Sequence, residues 1–285
     1  MPPLKVLITG AAGLIGGAAW DRLAAQPDKY TLSGVDRAPS DRPNTTVVDL
    51  SDFEATKAAL AGQDVIIHLA AMARFTTPWE EVLPNNITAT YNVFEAARAN
   101  GATRVVYASS NQVVWQYETE EPYTALVEGR YEEVPADYKR ITVDQPPRPS
   151  SLYAVSKVFG EALGRYYSDV LGLSVLCLRF AAIMKEDNPL ANTRRFANWA
   201  TTRDAAQVVQ RCIDAPDSLR YDAFFVTSDL KWNLMDIEHP KEVLGFVPQD
   251  KAEDWREEFE REGGGWPVKA GTLPQQPQRQ KLSGS

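Results

Sequence analysis

Short runs of apolar, often β-branched residues alternate with stretches in which apolar positions recur every three or four residues, and this alternation organises the first two thirds of the chain. Lys5–Ile8, Tyr30–Val35, Thr45–Val48, Asp64–Leu69 and a run from Arg104 to Ser110 read as strands. The run Val65-Ile66-Ile67 is too apolar for anything but the interior. Between them Gly13–Ala25, Phe53–Ala61 and Leu83–Asn100 carry helical spacing. The first of these offers Leu14, Ala18 and Leu23 to the core, and Gly101 is placed to stop the last. Strand and helix in regular succession predict an α/β architecture, a doubly wound parallel sheet. The rhythm breaks over residues 111–150, rich in Tyr, Glu and Pro and without a long helix. A stretch of that length after a strand's C-terminal end is placed to cover a substrate. Order resumes with a helix over Ser151–Leu171, preceded by Pro149 and a Ser150 cap, and a buried strand at Ser174–Phe180. A helix at Arg203–Asp214, a strand at Ala223–Val226 and a short helix at Lys241–Leu244 follow more loosely.

Three segments result. Residues 1–180 form a larger α/β domain of Rossmann type, and 181–262 a smaller substrate-binding region interleaved with it. Residues 263–285 are rich in Gly, Pro and Gln, as expected of a flexible tail. The length of 285 residues allows a substantial core, and 44% hydrophobic with 24% charged residues is ordinary for a soluble protein. A formal net charge of -8 argues against nucleic acid or an anionic membrane as partner, while leaving room for a local cationic pocket. Two cysteines, Cys177 and Cys212, and two histidines, His68 and His239, suggest no disulfide framework and no metal site. With no leader or membrane span in view, the cytoplasm is the expected compartment. Asn44-Thr45-Thr46 and Asn86-Ile87-Thr88 match the glycosylation triplet, which carries no weight without secretion.

The chemistry begins at Thr9-Gly10-Ala11-Ala12-Gly13-Leu14-Ile15-Gly16, between the first strand and the first helix. Unpaired N–H groups and the helix dipole make that turn an anion site. Gly10 permits the turn, Gly13 lets backbone approach a pyrophosphate, and Gly16 allows close helix–strand packing. Asp36 closes the second strand 20 residues past Gly16 (36 − 16), where a carboxylate bonds the adenosine ribose and repels a 2′-phosphate. Arg37 beside it would favour such a phosphate. The position of Asp36 makes NAD the expected cofactor. Tyr153 and Lys157, four apart on the helix, point to one pocket. A fixed cation there lowers a phenol's pKa and makes it a usable base.

In this context the chain resembles the extended short-chain dehydrogenases/reductases, the NAD-dependent epimerase/dehydratase family, from about residue 4 to about residue 260. The marks are Thr9-Gly10-x-x-Gly13-x-x-Gly16, Asp36, Asp49-Leu50, His68-Leu69-Ala70-Ala71, Asn86, Ser110 and Tyr153-x-x-x-Lys157. The resemblance implies Tyr153 as base, Lys157 as ribose ligand and pKa modulator, and Ser110 as the group orienting the reacting hydroxyl. It also implies a cofactor lining of Leu14, Ile15, Asp49, Leu50, Leu69, Ala70, Ala71, Asn86 and Ser109, and a homo-oligomer built on helices Leu83–Asn100 and Ser151–Leu171.

Within the family the chain is most similar to enzymes that oxidise sugars at the anomeric carbon, uronate dehydrogenase and the short-chain NAD-dependent glucose-6-phosphate dehydrogenase. Pro84-Asn85-Asn86-Ile87, Ala108-Ser109-Ser110-Asn111, Leu152–Lys157, Arg194–Trp199, Arg203-Asp204 and Glu242–Phe246 carry that likeness. Those enzymes have histidine where this chain has Gln112, so a different sugar contact is expected. By the same likeness Arg194 would grip a substrate acid group, and Arg74 and Arg195 would either widen the cationic site or lie on the surface. The implied activity is NAD-dependent oxidation of the C1 hydroxyl of a hexose, an anionic one such as a uronate or sugar phosphate, to the lactone. Substrate contacts would be Arg74, Ser110, Asn111, Gln112, Tyr153, Arg194 and Arg195. A nucleotide-sugar epimerase or dehydratase holding NAD tightly, and a non-catalytic NAD sensor, are the alternatives.

Overall fold

The computed structural model describes residues 2–271. Seven strands form one sheet: β1 (Leu4–Thr9), β2 (Tyr30–Asp36), β3 (Thr45–Val47), β4 (Val65–His68), β5 (Arg104–Ser110), β6 (Ser174–Phe180) and β7 (Tyr221–Val226). Their order is β3-β2-β1-β4-β5-β6-β7, and every adjacent pair is parallel. The order reverses between β1 and β4, the switch point outside which ligands bind in such sheets. Alternate residues of each central strand serve opposite faces, as the pleat requires. Val6, Ile8, Val106, Ala108, Leu176 and Leu178 join one core, while Leu7, Val105, Tyr107, Val175 and Cys177 join the other. Helices α1 (Leu14–Ala24) and α2 (Phe53–Ala59) follow β1 and β3.

The inner face of α1 is Gly16, Ala19, Trp20 and Leu23 rather than Leu14, Ala18 and Leu23. Leu14 is 43% exposed, because the helix must turn its glycine toward the β1 turn. The helix expected from Leu83 starts earlier, as α3 (Trp79–Val82), runs through a π-helical turn at Leu83–Thr88 and continues as α4 (Ala89–Ala99). Pro84 has no N–H to give an α-helical ladder, and the wide turn absorbs the interruption.

Residues 111–150 hold a 3-10 helix at Asn111–Thr119 and a short α5 (Tyr123–Glu128). Helix α6 (Leu152–Asp169) is capped by Ser151, not Ser150: the Ser151 hydroxyl accepts the Ala154 N–H at 3.1 Å. Helix α7 (Thr202–Asp214) and β7 lie beyond residue 180 yet complete the sheet layer, with Ala205, Val208 and Val209 of α7 in the same core as Trp20 and Leu23 of α1. The chain then forms α8 (Glu238–Leu244) and α9 (Arg256–Arg261), the latter not foreseen in the sequence. Of the stretch expected to be a flexible tail, the described part is docked. Trp266 N–H bonds Ala191 O at 3.0 Å, and Ala270 N–H bonds the Glu128 carboxylate at 3.0 Å. The remainder lies outside the described residues. No helix among the described residues is long and apolar enough to cross a membrane.

Candidate active site

The β1–α1 turn leaves no room for a Cβ at Gly10 or Gly16. Gly10 sits at φ 72°, and a Cβ there would meet Ala70 N at 2.9 Å. A Cβ on Gly16 would stand 2.1 Å from Gly10 O, which is the close packing its spacing predicts. From this turn a cleft of about 360 Å3 runs past Gly13 to Asp36, Asp49 and Leu50 on one side and Leu69, Ala70 and Ala71 on the other. Asp36 accepts Ala12 N–H at 3.0 Å and Ala38 N–H at 3.1 Å, one on each oxygen, so each keeps a lone pair for a ligand hydroxyl. The Arg37 guanidinium lines the same cleft, bonded there to Asn85 Oδ1 at 3.0 Å and to Met72 Sδ at 3.4 Å. Asp49 is anchored by Ser51 N–H and hydroxyl at 2.9 and 2.8 Å, the chief reason its carboxyl lies below its ordinary value. A backbone-lined turn at one end and a carboxylate at the other fit a dinucleotide.

At the end of β5 the site becomes a side-chain construction. Tyr153 and Lys157 share the buried face of α6 and are 7% and 3% exposed. The Lys157 ammonium donates to Ala108 O at 2.7 Å and lies 5.6 Å from the Tyr153 ring centre. Burial pulls Lys157 down to about 7, against the field of Glu161, and pushes Tyr153 up to about 12, against a hydrogen bond from Ser110. Ser110, in turn, caps the 3-10 helix by accepting Gln112 N–H at 3.2 Å, and its hydroxyl reaches Asn111 Oδ1 at 3.3 Å. Gln112 is tied to the start of α6 by the Ser151 hydroxyl, 3.4 Å from its Oε1.

Several residues expected to line the cofactor also make bonds or packing contacts within the protein. Asn86 is 2% exposed, and its amide is spent inside the protein: Met72 N–H donates to its oxygen at 2.8 Å, while its nitrogen bonds Met72 O and Ser156 Oγ at 3.3 and 3.0 Å. It fastens the loop after β4 to α6. Ser109 donates to Glu161 at 2.5 Å, and Glu161 is held by both Arg179 Nε and a terminal nitrogen at 2.9 and 2.8 Å. Leu14 and Ile15 are absent from the cleft lining, and Ile15 packs on the core.

Sequence reasoning missed the support beneath the cleft. The Thr9 hydroxyl accepts Leu69 N–H and Ala70 N–H, each at 3.2 Å, so its own proton goes to His68 Nδ1 at 2.8 Å. That leaves His68 protonated on Nε2, which donates to Thr90 Oγ1 at 3.2 Å. Burial, aided by the charge on Lys157, drops His68 to about 3 and keeps the ring neutral. No local motif announces such a bond between strands.

At the far end Arg74 is exposed on the loop after β4, beside Phe75, whose ring meets Trp115 edge-on at 5.1 Å. Arg194 is buried with its plane 4.8 Å over that same Trp115 and its Nε 3.0 Å from Glu118 Oε2, off the line of a good hydrogen bond. A terminal nitrogen reaches Lys269 O at 3.2 Å. Burial raises Glu118 to about 7, against the two arginines. Glu118 was not foreseen, and it occupies the guanidinium expected to meet the substrate.

The sequence compares with known proteins over nearly its whole length. It is 34% identical to an L-arabinose 1-dehydrogenase (NAD(P)(+)) of Haloferax volcanii, over 87% of this chain and 97% of that one. It is 33% identical to an NAD-dependent glucose-6-phosphate dehydrogenase of the same organism, over 90% and 97%. Among solved structures, a mutant uronate dehydrogenase from Agrobacterium tumefaciens complexed with NAD superposes with a TM-score of 0.76 at 32% identity, covering 96% of this chain and 92% of that one. Residues 6–206 match the NAD dependent epimerase/dehydratase family, which takes in the glycine turn, the cleft and the Tyr–Lys helix together, and the chain belongs to that family.

Proposed function

We propose that the protein is an NAD-dependent sugar dehydrogenase that oxidises the anomeric C1 hydroxyl of a hexose to the lactone. The observation that carries the reading is the meeting of Ser110, Tyr153 and Lys157 on one buried wall, at the C-terminal end of β5 on the ligand side of the sheet. The relatives named as sugar dehydrogenases, matched over 97% of their own length, support it. Gly10, Gly13 and Gly16 would hold the pyrophosphate, Asp36 the adenosine ribose and Lys157 the nicotinamide ribose. NAD, when bound, supplies the hydride acceptor. Tyr153 takes the proton from the C1 hydroxyl, and Ser110 orients that hydroxyl. The Lys157 ammonium, fixed by Ala108 O, stabilises the phenolate that burial alone would disfavour. NAD rather than NADP is favoured because Asp36 keeps a lone pair on each oxygen toward the cleft, while Arg37 beside it is already bonded to Asn85 and Met72.

The same reading places the protein in the cytoplasm, in keeping with two buried thiols. It also makes it a homo-oligomer joined through α4 and α6, where Tyr91, Tyr166 and Val170 are 48%, 50% and 65% exposed. The test is NADH formation across neutral and anionic aldoses, with Tyr153→Phe alongside. Removing the base is expected to lower kcat by about 10²–10⁴-fold while NAD binding persists. A Tyr153→Phe enzyme with near-normal turnover, or no NADH from any aldose, overturns the reading.

A further inference from the structure

One side chain joins the two walls of the cleft at its carboxylate end. Arg37 directly follows Asp36, the last residue of β2, yet its guanidinium is bonded to residues that come after β4. One terminal nitrogen donates to Asn85 Oδ1 at 3.0 Å and the other to Met72 Sδ at 3.4 Å. Neither acceptor carries a charge, and a thioether is a weak one. The amide oxygen of Asn85 is therefore the stronger anchor.

That anchor is itself held firmly. The π-helical turn Leu83–Thr88 carries Asn85 and Asn86 side by side. Asn86 grips Met72 by its N–H and its carbonyl, at 2.8 and 3.3 Å. Asn85 donates from Nδ2 to Glu81 O at 2.8 Å. This last bond settles which way the amide points. Turned over, Asn85 would set its oxygen against a carbonyl and its two donors against a guanidinium, which has no acceptor to offer. Asn85 thus presents oxygen to Arg37 and lines the cleft while doing so.

Asp36 and Arg37 pull in opposite directions on a 2′-phosphate: the carboxylate repels it and the guanidinium attracts it. Which of them prevails depends on where the guanidinium is held. We propose that Asn85 sets how strictly the protein prefers NAD to NADP, by tethering Arg37 to the wall opposite Asp36. The inference rests on the reading of Asp36 as the ribose ligand and adds a residue outside β2 and the glycine turn. End-on pairing with a phosphate takes one N–H from each terminal nitrogen. A 2′-phosphate must therefore compete with the Asn85 oxygen, and loss of that oxygen frees the guanidinium to move toward Asp36. Arg37 is exposed, so the effect is a modest one, best read as a ratio of two affinities.

The test is calorimetric titration with NAD and NADP, and with 5′-AMP and 2′,5′-ADP, which differ only in the 2′-phosphate. No turnover is needed. The proteins are wild type, Asn85→Ala, Asn85→Leu, Arg37→Ala and the double variant Arg37→Ala/Asn85→Ala. Asn85→Ala is expected to strengthen NADP relative to NAD by about two- to fivefold, with the same shift between the two fragments. Asn85→Leu, which fills the space without restoring an acceptor, is expected to do likewise. In the Arg37→Ala background the removal of Asn85 is expected to leave the ratio where it was. A ratio unmoved in both Asn85 variants overturns the inference. So does an equal shift with Arg37 absent, since Asn85 would then act on the cleft by some route other than the tether. A wild-type protein that binds NADP more tightly than NAD overturns the reading of Asp36 instead, and the dependence of the Asn85 effect on Arg37 still decides the tether.

Discussion

Two Glu–Arg pairs among the described residues are buried, and they are unlike. Glu161 and Arg179 join α6 to β6 with two hydrogen bonds of 2.9 and 2.8 Å, and the Ser109 hydroxyl adds a third to the same carboxylate. Burial alone would lower Arg179, yet the bonds to Glu161 hold it above its ordinary value. Glu118 and Arg194 are buried as deeply but bridge two 3-10 segments, meet at a poor angle, and leave the carboxyl raised to about 7. Burial does not separate the two; satisfaction does. A pair with every bond made ties two regular elements of the framework together, whereas the half-made one spans two segments outside the sheet.

The sharpest way to break this comparison is to remove one arginine at a time. Arg179→Met strands a carboxylate among regular elements, and a loss of about 3–5 kcal/mol in denaturant unfolding is expected. Replacing both partners, as Glu161→Leu with Arg179→Met, should recover most of it, because no charge is then left alone. Arg194→Met is expected to cost about 1–3 kcal/mol at pH 8 and less at pH 5, since Glu118 can take up a proton in place of its partner. Equal losses in both Met variants at pH 5 would erase the distinction.

A smaller effect concerns wild type alone. Glu118 is raised to about 7 from 4.5, so between those values the native state holds a proton that the unfolded chain has released. Its contribution to stability is therefore present at low pH and is lost as pH rises from about 4.5 to about 7, by at most about 1.4 kcal/mol per pH unit. Glu118→Gln should flatten that slope, measured as unfolding free energy against pH. A slope unchanged in the variant would assign it to another group. His68 acts in the opposite sense: lowered to about 3, it withdraws stability as pH falls below about 6.5, and His68→Gln separates the two.

What could be read in the sequence follows from how local each constraint is. Gly10 and Gly16 are legible because a turn that excludes a Cβ leaves its demand at a fixed short spacing, with Gly13 between them. Tyr153 and Lys157 are legible because four residues make one helical turn. Asp36 is legible through a fixed strand-and-helix length. Glu118 was not, because its partner lies 76 residues away (194 − 118) and no periodicity links them. The same holds for Thr9 with His68 and for Asn86 with Met72 and Ser156, where the motif residues were identified but their bonds were not. Pro84 concealed the true start of its helix, since a proline there reads as a first turn unless a π-helical turn accommodates it. Helix α9 is short and strongly charged, and Phe259 is its one buried residue, too little for a periodic signal.

The docked segment 266–271 also orders events during synthesis. The sheet is complete in sequence once residue 226 has been made, but Arg194 gains Lys269 O, and Glu128 gains Ala270 N–H, only some 43 residues later (269 − 226). A growing chain can thus hold a folded dinucleotide-binding sheet while its charge cluster still lacks an acceptor. The glycine turn leaves the ribosome before the segment that closes the wall around Arg194.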